Sequence, residues 1–198
     1  MPASSSSSLY IRPTLIGTQG SLGLAPSTEA LLFVVLCPVG SYYSQAARPV
    51  SLLCDPRFSR AVPGGAGDSK LGSNYAPTLM VQEGAAREGC DQVLWVQGPD
   101  QELAEVGAMN IFVVLRGKQG EQELVTPPLD GTVLPGVTRQ SVLEMMREGG
   151  QVARVEERTI CLAELLAAQV EGRLVEVFST GTAAVVNQVG RIRLVASC

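Results

Sequence analysis

The chain has 198 residues, of which 45% are hydrophobic and 17% charged, with a net charge of -4 and a pI near 4.9. That is enough for one large core or two small ones in an ordinary globular protein, and the arginines are scattered singly, so no basic stripe marks nucleic acid as a partner. Histidine is absent, which removes histidine-based triads and most zinc sites, leaves no metal site to be read, and confines acid–base work to lysine, tyrosine, carboxylates or a cofactor.

Met1-Pro-Ala-Ser-Ser-Ser-Ser-Ser8 is low complexity, with neither the arginines of a transit peptide nor the apolar core of a signal peptide, so no targeting segment is readable. Leu9 to Arg12 and Ala30 to Val39 are strand-like runs around a polar stretch from Gly17 to Gly23. The longest apolar run, Ala30 to Cys37, reads as a buried strand and is too short to span a bilayer, so no membrane is expected as a partner. Two short strands do not make a domain, and 9–40 therefore reads as the end of something larger. Periodicity is lost after Ser41, which places a linker over 41–53 and a larger domain over 54–198. The five cysteines, Cys37, Cys54, Cys90, Cys161 and Cys198, have no Cys-x-x-Cys pair and an odd count, the pattern of reduced thiols rather than a disulfide framework.

Beyond the linker, helices and strands alternate. Pro77 and Gly89 bracket a helix over Thr78 to Glu88, and Gln92 to Val96 reads as a strand. Asn110 to Leu115 and Glu123 to Thr126 read as a hairpin joined through Gly117 to Gly120. A second helix runs from Arg139 to Glu148, with Glu144 and Arg147 on its outer face and Gly149-Gly150 behind it. A third covers Leu162 to Val170, ended by Gly172. Val175 to Phe178 is a strand running into Ser179-Thr-Gly-Thr-Ala183. No internal repeat is visible.

Four places carry chemistry. Lys70 is one of two lysines, against thirteen arginines, and lies in a glycine-rich stretch with Tyr75 five residues on. Only lysine can present a neutral amine to a carbonyl, so this is a candidate Schiff-base residue for an aldehyde cofactor, with an exposed loop lysine as the alternative. Thr138 stands before the second helix, where its hydroxyl can act as an N-cap or the helix start can bind phosphate. Ser179 to Thr182 offers small residues and hydroxyls after a strand, either an anion-binding nest or an ordinary turn. Glu105 stands at the lip of an apolar strand, where it is an exposed turn residue or a buried carboxylate that needs a cationic partner such as a protonated pyridine nitrogen.

Taken together, Leu9-Tyr-Ile-Arg-Pro13, Lys70-Leu-Gly-Ser-Asn-Tyr75, Glu105-Val-Gly-Ala-Met-Asn-Ile-Phe112, Leu124-Val-Thr-Pro-Pro128, Leu134-Pro-Gly-Val-Thr-Arg-Gln140, Glu157-Arg-Thr-Ile160 and Thr180-Gly-Thr-Ala183 resemble, in order and spacing, the class IV, fold type IV pyridoxal-phosphate aminotransferases, most closely the branched-chain amino acid aminotransferases. The resemblance covers about Ser8 to Arg193. It implies an α+β fold, the D-amino acid aminotransferase-like large domain with a remnant of the small α+β domain at 9–40.

It implies pyridoxal 5'-phosphate as cofactor. Lys70 would hold it as a Schiff base and move the substrate proton, Tyr75 would bond the ring hydroxyl, and Glu105 would hold the ring nitrogen. Val137, Thr138 and Thr182 would bind the phosphate, while Tyr10, Arg12, Ala108 and Ala183 would line the substrate pocket. In such a site desolvation and nearby cations would make the lysine usable as a free base.

The implied activity is transamination of leucine, isoleucine and valine with 2-oxoglutarate, by a homodimer in the cytoplasm or mitochondrion. Two departures bear on it. Ala108 replaces a usual threonine, and Ala184 with Asn187 stand where vertebrate members carry a redox Cys-x-x-Cys. Family members also carry most of a small domain before Leu9 and continue past Cys198, so the large domain is expected to be incomplete at its C-terminus and the site open on one side. The alternatives are a truncated or divergent relative with little activity alone, or a D-amino acid aminotransferase or aminodeoxychorismate lyase on the same fold.

Overall fold

The computed structural model describes residues 7–40 and 48–195. It divides into two compact units, Met1–Ala46 and Ala47–Cys198.

In the first unit β1 (Ser8–Gly17) and β2 (Ala30–Val39) form an antiparallel ribbon, in register from Ser8 opposite Val39 to Gly17 opposite Ala30. Strand β1 runs longer than its sequence pattern predicts, and β2 has the predicted extent. The expected burial of the apolar run does not hold: Leu31 to Leu36 are exposed along β2. A two-stranded ribbon has no second layer of its own to cover either face. Ser41 to Ala47, most of the predicted linker, lie outside the described residues.

The second unit starts inside the stretch read as linker, because β3 (Val50–Cys54) is a nearly fully buried strand of the main sheet. It continues with α1 (Thr78–Arg87), β4 (Gln92–Gln97), β5 (Glu102–Val106), β6 (Met109–Arg116), β7 (Gln122–Thr126), α2 (Val137–Gly149), β8 (Arg154–Glu157), α3 (Leu162–Val170), β9 (Leu174–Gly181) and β10 (Val185–Leu194). The eight strands are ordered β5-β4-β3-β10-β9-β6-β7-β8, and a further pairing of β5 with β6 closes the first six into a ring. Pairings of β3 with β4 and β10, and of β7 with β8, are parallel; the rest are antiparallel. This mixed, barrel-like sheet with helices outside it is the expected α+β class.

Strand β6 is buried from Met109 to Leu115, as a continuous apolar run must be when both faces of a strand are covered. Its Phe112 stacks on Phe178 of β9 at 5.0 Å, and Leu143 of α2 packs into the same cluster. Val81 and Ala85 of α1 pack with Val93 and Trp95 of β4. The helix stops lie where glycine permits a left-handed residue, at Gly89, Gly150 and Gly172. Arg147 pairs with Glu157 of β8 at 2.8 Å rather than with Glu144. Strands β3, β5, β8 and β10 escape the sequence pattern, being short or, in β10, interspersed with polar residues and glycine. Among the described residues no helix is long and apolar enough to cross a membrane.

Candidate active site

Three adjacent strands set polar side chains in a row. Glu105 on β5 is paired with Asn110 on β6, and Asn110 with Thr180 on β9, so carboxylate, amide and hydroxyl share one face of the sheet. All three residues are buried. The segment entering α2 crosses this face. Its Leu134 N–H donates to Glu105 Oε1 at 2.9 Å, and Asn110 Nδ2 donates to the Leu134 carbonyl at 2.8 Å and, more weakly, to Glu105 Oε1 at 3.4 Å.

A Cβ on residue 136 would collide with Asn110 Oδ1, so glycine lets the chain pass there without displacing the Asn110 amide. Gly136 is the N-cap of α2 and no side chain caps this end. That corrects the expected role of the Thr138 hydroxyl: the helix begins one residue before Thr138, which therefore sits in the first turn. Val137 and Thr138 instead contribute N–H groups that lack intrahelical acceptors.

Lys70 lies on a loop pinned at several points. Asn74 Nδ2 donates to the carbonyls of Ala66 and Ser69 at 2.6 and 2.9 Å, and the Asp68 N–H to the carbonyl of Gly131 at 3.1 Å. The residue itself is exposed, contrary to the desolvated amine expected from sequence, and its Nζ stands 5.8 Å from the centre of the Tyr75 ring. Its charge reaches Glu105, whose carboxyl it helps to hold down.

Arg60, to which the sequence reading assigned nothing, completes the centre. Its side chain is 3% exposed and its Nε lies 2.8 Å from Glu105 Oε2. Nη1 donates to the carbonyls of Gly67 and Thr132 at 3.1 and 2.9 Å, and Nη2 to Gly67 at 3.0 Å. No local pattern could have identified it, since two of its partners, Glu105 and Thr132, are remote in the chain.

Burial pushes the Glu105 carboxyl up from 4.5 to about 7, against the pull of Arg60, the Leu134 N–H and Lys70. Although Arg60 Nε is at ion-pair distance, its N–H is not aligned as a hydrogen bond, and Glu105 Oε2 is a buried oxygen with unused acceptor capacity. A protonated ring nitrogen is the kind of donor that oxygen lacks. Thr180 Oγ1 is likewise buried and unpartnered.

The remaining expected residues fall in three places. Ala108 is exposed in the turn between β5 and β6, while Thr182 and Ala183 are exposed in the turn between β9 and β10. The pairing of Asn110 with Thr180 sets both turns at one end of the sheet. Ser179 and Thr180 belong to β9 itself, so only the last part of the expected nest is a turn. That turn ends on Val185, a β-branched residue with φ of 55°, a strained conformation of the kind found at functional turns. Tyr10 and Arg12 lie in the first unit, where Arg12 Nη2 donates to the Tyr10 hydroxyl at 2.8 Å.

Comparison with known proteins places this geometry among relatives. The model of the family Amino-transferase class IV matches residues 2–192. The mitochondrial branched-chain-amino-acid aminotransferase of Rattus norvegicus is 55% identical over 193 residues, which are 97% of this chain and 49% of that protein. The chain thus spans about half the length of the curated relatives it matches. Among solved structures, the Escherichia coli branched-chain amino acid aminotransferase is similar with a TM-score of 0.78 and 26% identity, over 93% of this chain and 57% of that one. The T.th. branched-chain amino acid aminotransferase, complexed with N-(5'-phosphopyridoxyl)-L-glutamate, is similar with a TM-score of 0.73 and 26% identity, over 93% and 56%.

Proposed function

The chain belongs to the class IV amino-transferase family, and from that membership we propose that it acts in pyridoxal-phosphate-dependent transamination of leucine, isoleucine and valine with 2-oxoglutarate. The observation that carries this reading is the buried row of Glu105, Asn110 and Thr180, with the Lys70 loop and the start of α2 gathered around it. When bound, pyridoxal phosphate supplies an aldehyde for amines and a protonated ring that withdraws electrons from the substrate α-carbon.

The residues divide the work by their chemistry. Glu105, with its spare Oε2, would accept the ring N–H, and a positive charge there would offset the desolvation that raises its carboxyl to about 7. The Val137 and Thr138 N–H groups, at the positive end of the α2 dipole, bind the phosphate together with the Thr182 hydroxyl. Tyr75 bonds the ring hydroxyl. Lys70 would hold the aldehyde carbon through Nζ, and its free amine would serve as the base for the α-carbon proton. Ala108 and Ala183 border the substrate carboxylate, Ala108 through its backbone alone. Tyr10 and Arg12 are proposed as substrate-pocket residues, and a homodimer as the assembly, on family resemblance.

Exposure of Lys70 and Ala108 supports a second reading, in which this chain binds cofactor but turns over little amino acid alone. One experiment separates the two. The purified chain is incubated with pyridoxal phosphate, reduced with borohydride and mapped by peptide mass. Label on Lys70, absent in Lys70→Ala, is expected; an unlabelled Lys70 overturns the cofactor role. Release of 2-oxo acid from L-leucine and 2-oxoglutarate then supports the first reading, labelling without release supports the second, and turnover of D-alanine or aminodeoxychorismate instead assigns one of the other chemistries of the fold.

A further inference from the structure

Arg60 brings together three segments that the sequence keeps apart. Its guanidinium faces Glu105 on β5 through Nε, the Lys70 loop at the Gly67 carbonyl through both Nη atoms, and the approach to α2 at the Thr132 carbonyl through Nη1. From Gly67 the connection continues to Lys70, because Asn74 ties the carbonyls of Ala66 and Ser69 together. From Thr132 it returns to Glu105, whose other oxygen accepts the Leu134 N–H. A Cβ at residue 67 would overlap Ala61 and the backbone of Thr132, so the loop is seated against the approach to α2 too closely for a side chain.

Burial of a guanidinium to this degree is a poor way to gain stability, since desolvation offsets most of the attraction to a carboxylate and an apolar pair of equal volume would do as well. What a planar fork does that other side chains do not is fix several acceptors relative to one another. We propose that Arg60 is a positioning residue of the cofactor seat, registering the Glu105 carboxylate against the loop that ends in Lys70. The groups that would meet the ring nitrogen and the aldehyde are thereby set by one side chain. The ligand in this inference rests on the pyridoxal-phosphate reading above; the geometry does not.

Arg60→Gln and Arg60→Lys test it, the second keeping the charge while losing the fork. Two measurements use cofactor-free protein: amide exchange over 66–70, and titration of the Glu105 carboxyl by carbon NMR, assigned with Glu105→Gln. The charged groups acting on that carboxyl are Arg60 and Lys70, with the Leu134 N–H and the Asn110 amide on its other oxygen. The third measurement is the rate of borohydride-fixed labelling of Lys70 by pyridoxal phosphate.

Both variants are expected to exchange over 66–70 about tenfold faster, as loss of a hydrogen bond from a charged donor implies, with α3 unchanged, and to label Lys70 about tenfold more slowly. Arg60→Gln should raise the Glu105 midpoint above the wild-type value near 7, and Arg60→Lys should bring it back. Wild-type exchange and labelling in Arg60→Lys overturn the proposal, as does an unmoved Glu105 midpoint in Arg60→Gln. If Arg60→Gln fails to fold by circular dichroism, Arg60→Lys decides by exchange and labelling. A wild-type chain that takes no label sinks the cofactor reading instead, and exchange with titration still decides whether Arg60 couples the two segments.

Discussion

Glu105 shows how one buried carboxylate links site chemistry to stability. Its folded pKa, about 7, lies above the ordinary 4.5 because burial disfavours the charge. A group raised in this way stabilises the fold fully below its unfolded pKa and loses that contribution as pH rises through the folded one. Without cofactor, the chain should therefore lose roughly 2 to 3 kcal/mol relative to Glu105→Gln between pH 5 and 8. Urea titrations of both proteins at the two pH values measure the difference, and parallel pH profiles would show that Glu105 does not titrate in this window. Pyridoxal phosphate should flatten the wild-type profile, since a cationic ring keeps the carboxylate ionised. Lys70 and Glu105 stand out in the sequence because each is a conspicuous residue in its own window. Arg60 does not, because its bond to Thr132 spans 72 residues and thirteen arginines compete for notice.

At the scale of elements, the start of α2 is where local signals are both informative and incomplete. Pro135-Gly136 marks a turn into a helix, yet the reading of Thr138 as its cap misses the boundary, because glycine takes the N-cap position for a tertiary reason: its closeness to Asn110. Gly136→Ala should cost about 1 to 3 kcal/mol, the usual range for forcing an atom into a packed position. Chemical denaturation measures that cost, and a variant as stable as the wild type would mean that Asn110 can move aside. The same substitution should weaken cofactor labelling of Lys70, since it displaces the N–H groups of Val137 and Thr138. Strand β5 illustrates the opposite failure. A glutamate at its buried end argues against a strand on pattern alone, and only the row of partners across β6 makes that placement tolerable.

At the scale of the molecule, Lys70, Tyr75, Glu105, Val137, Thr138 and Thr182 all belong to the second unit, Ala47–Cys198. Residues 47–198 expressed alone should fold and take the borohydride-fixed label on Lys70 at the rate of the whole chain. Loss of label in a folded fragment, as judged by circular dichroism, would show that the first unit contributes to cofactor binding. Short-range periodicity and glycine stops are enough to give the α1 and α3 helices and the β6–β7 hairpin, and the candidate lysine and glutamate stand out in their own windows, because each of these signals is complete within its own stretch of chain; the family rests on the resemblance of motifs spread from about Ser8 to Arg193. Three-dimensional packing is what sets β10 beside β3 and β9 beside β6 to complete the ring, leaves the apolar β2 exposed, and carries Arg60 to Glu105. Strand closure, solvent coverage and a buried ion pair depend on residues far apart in the chain, and no local window contains both partners.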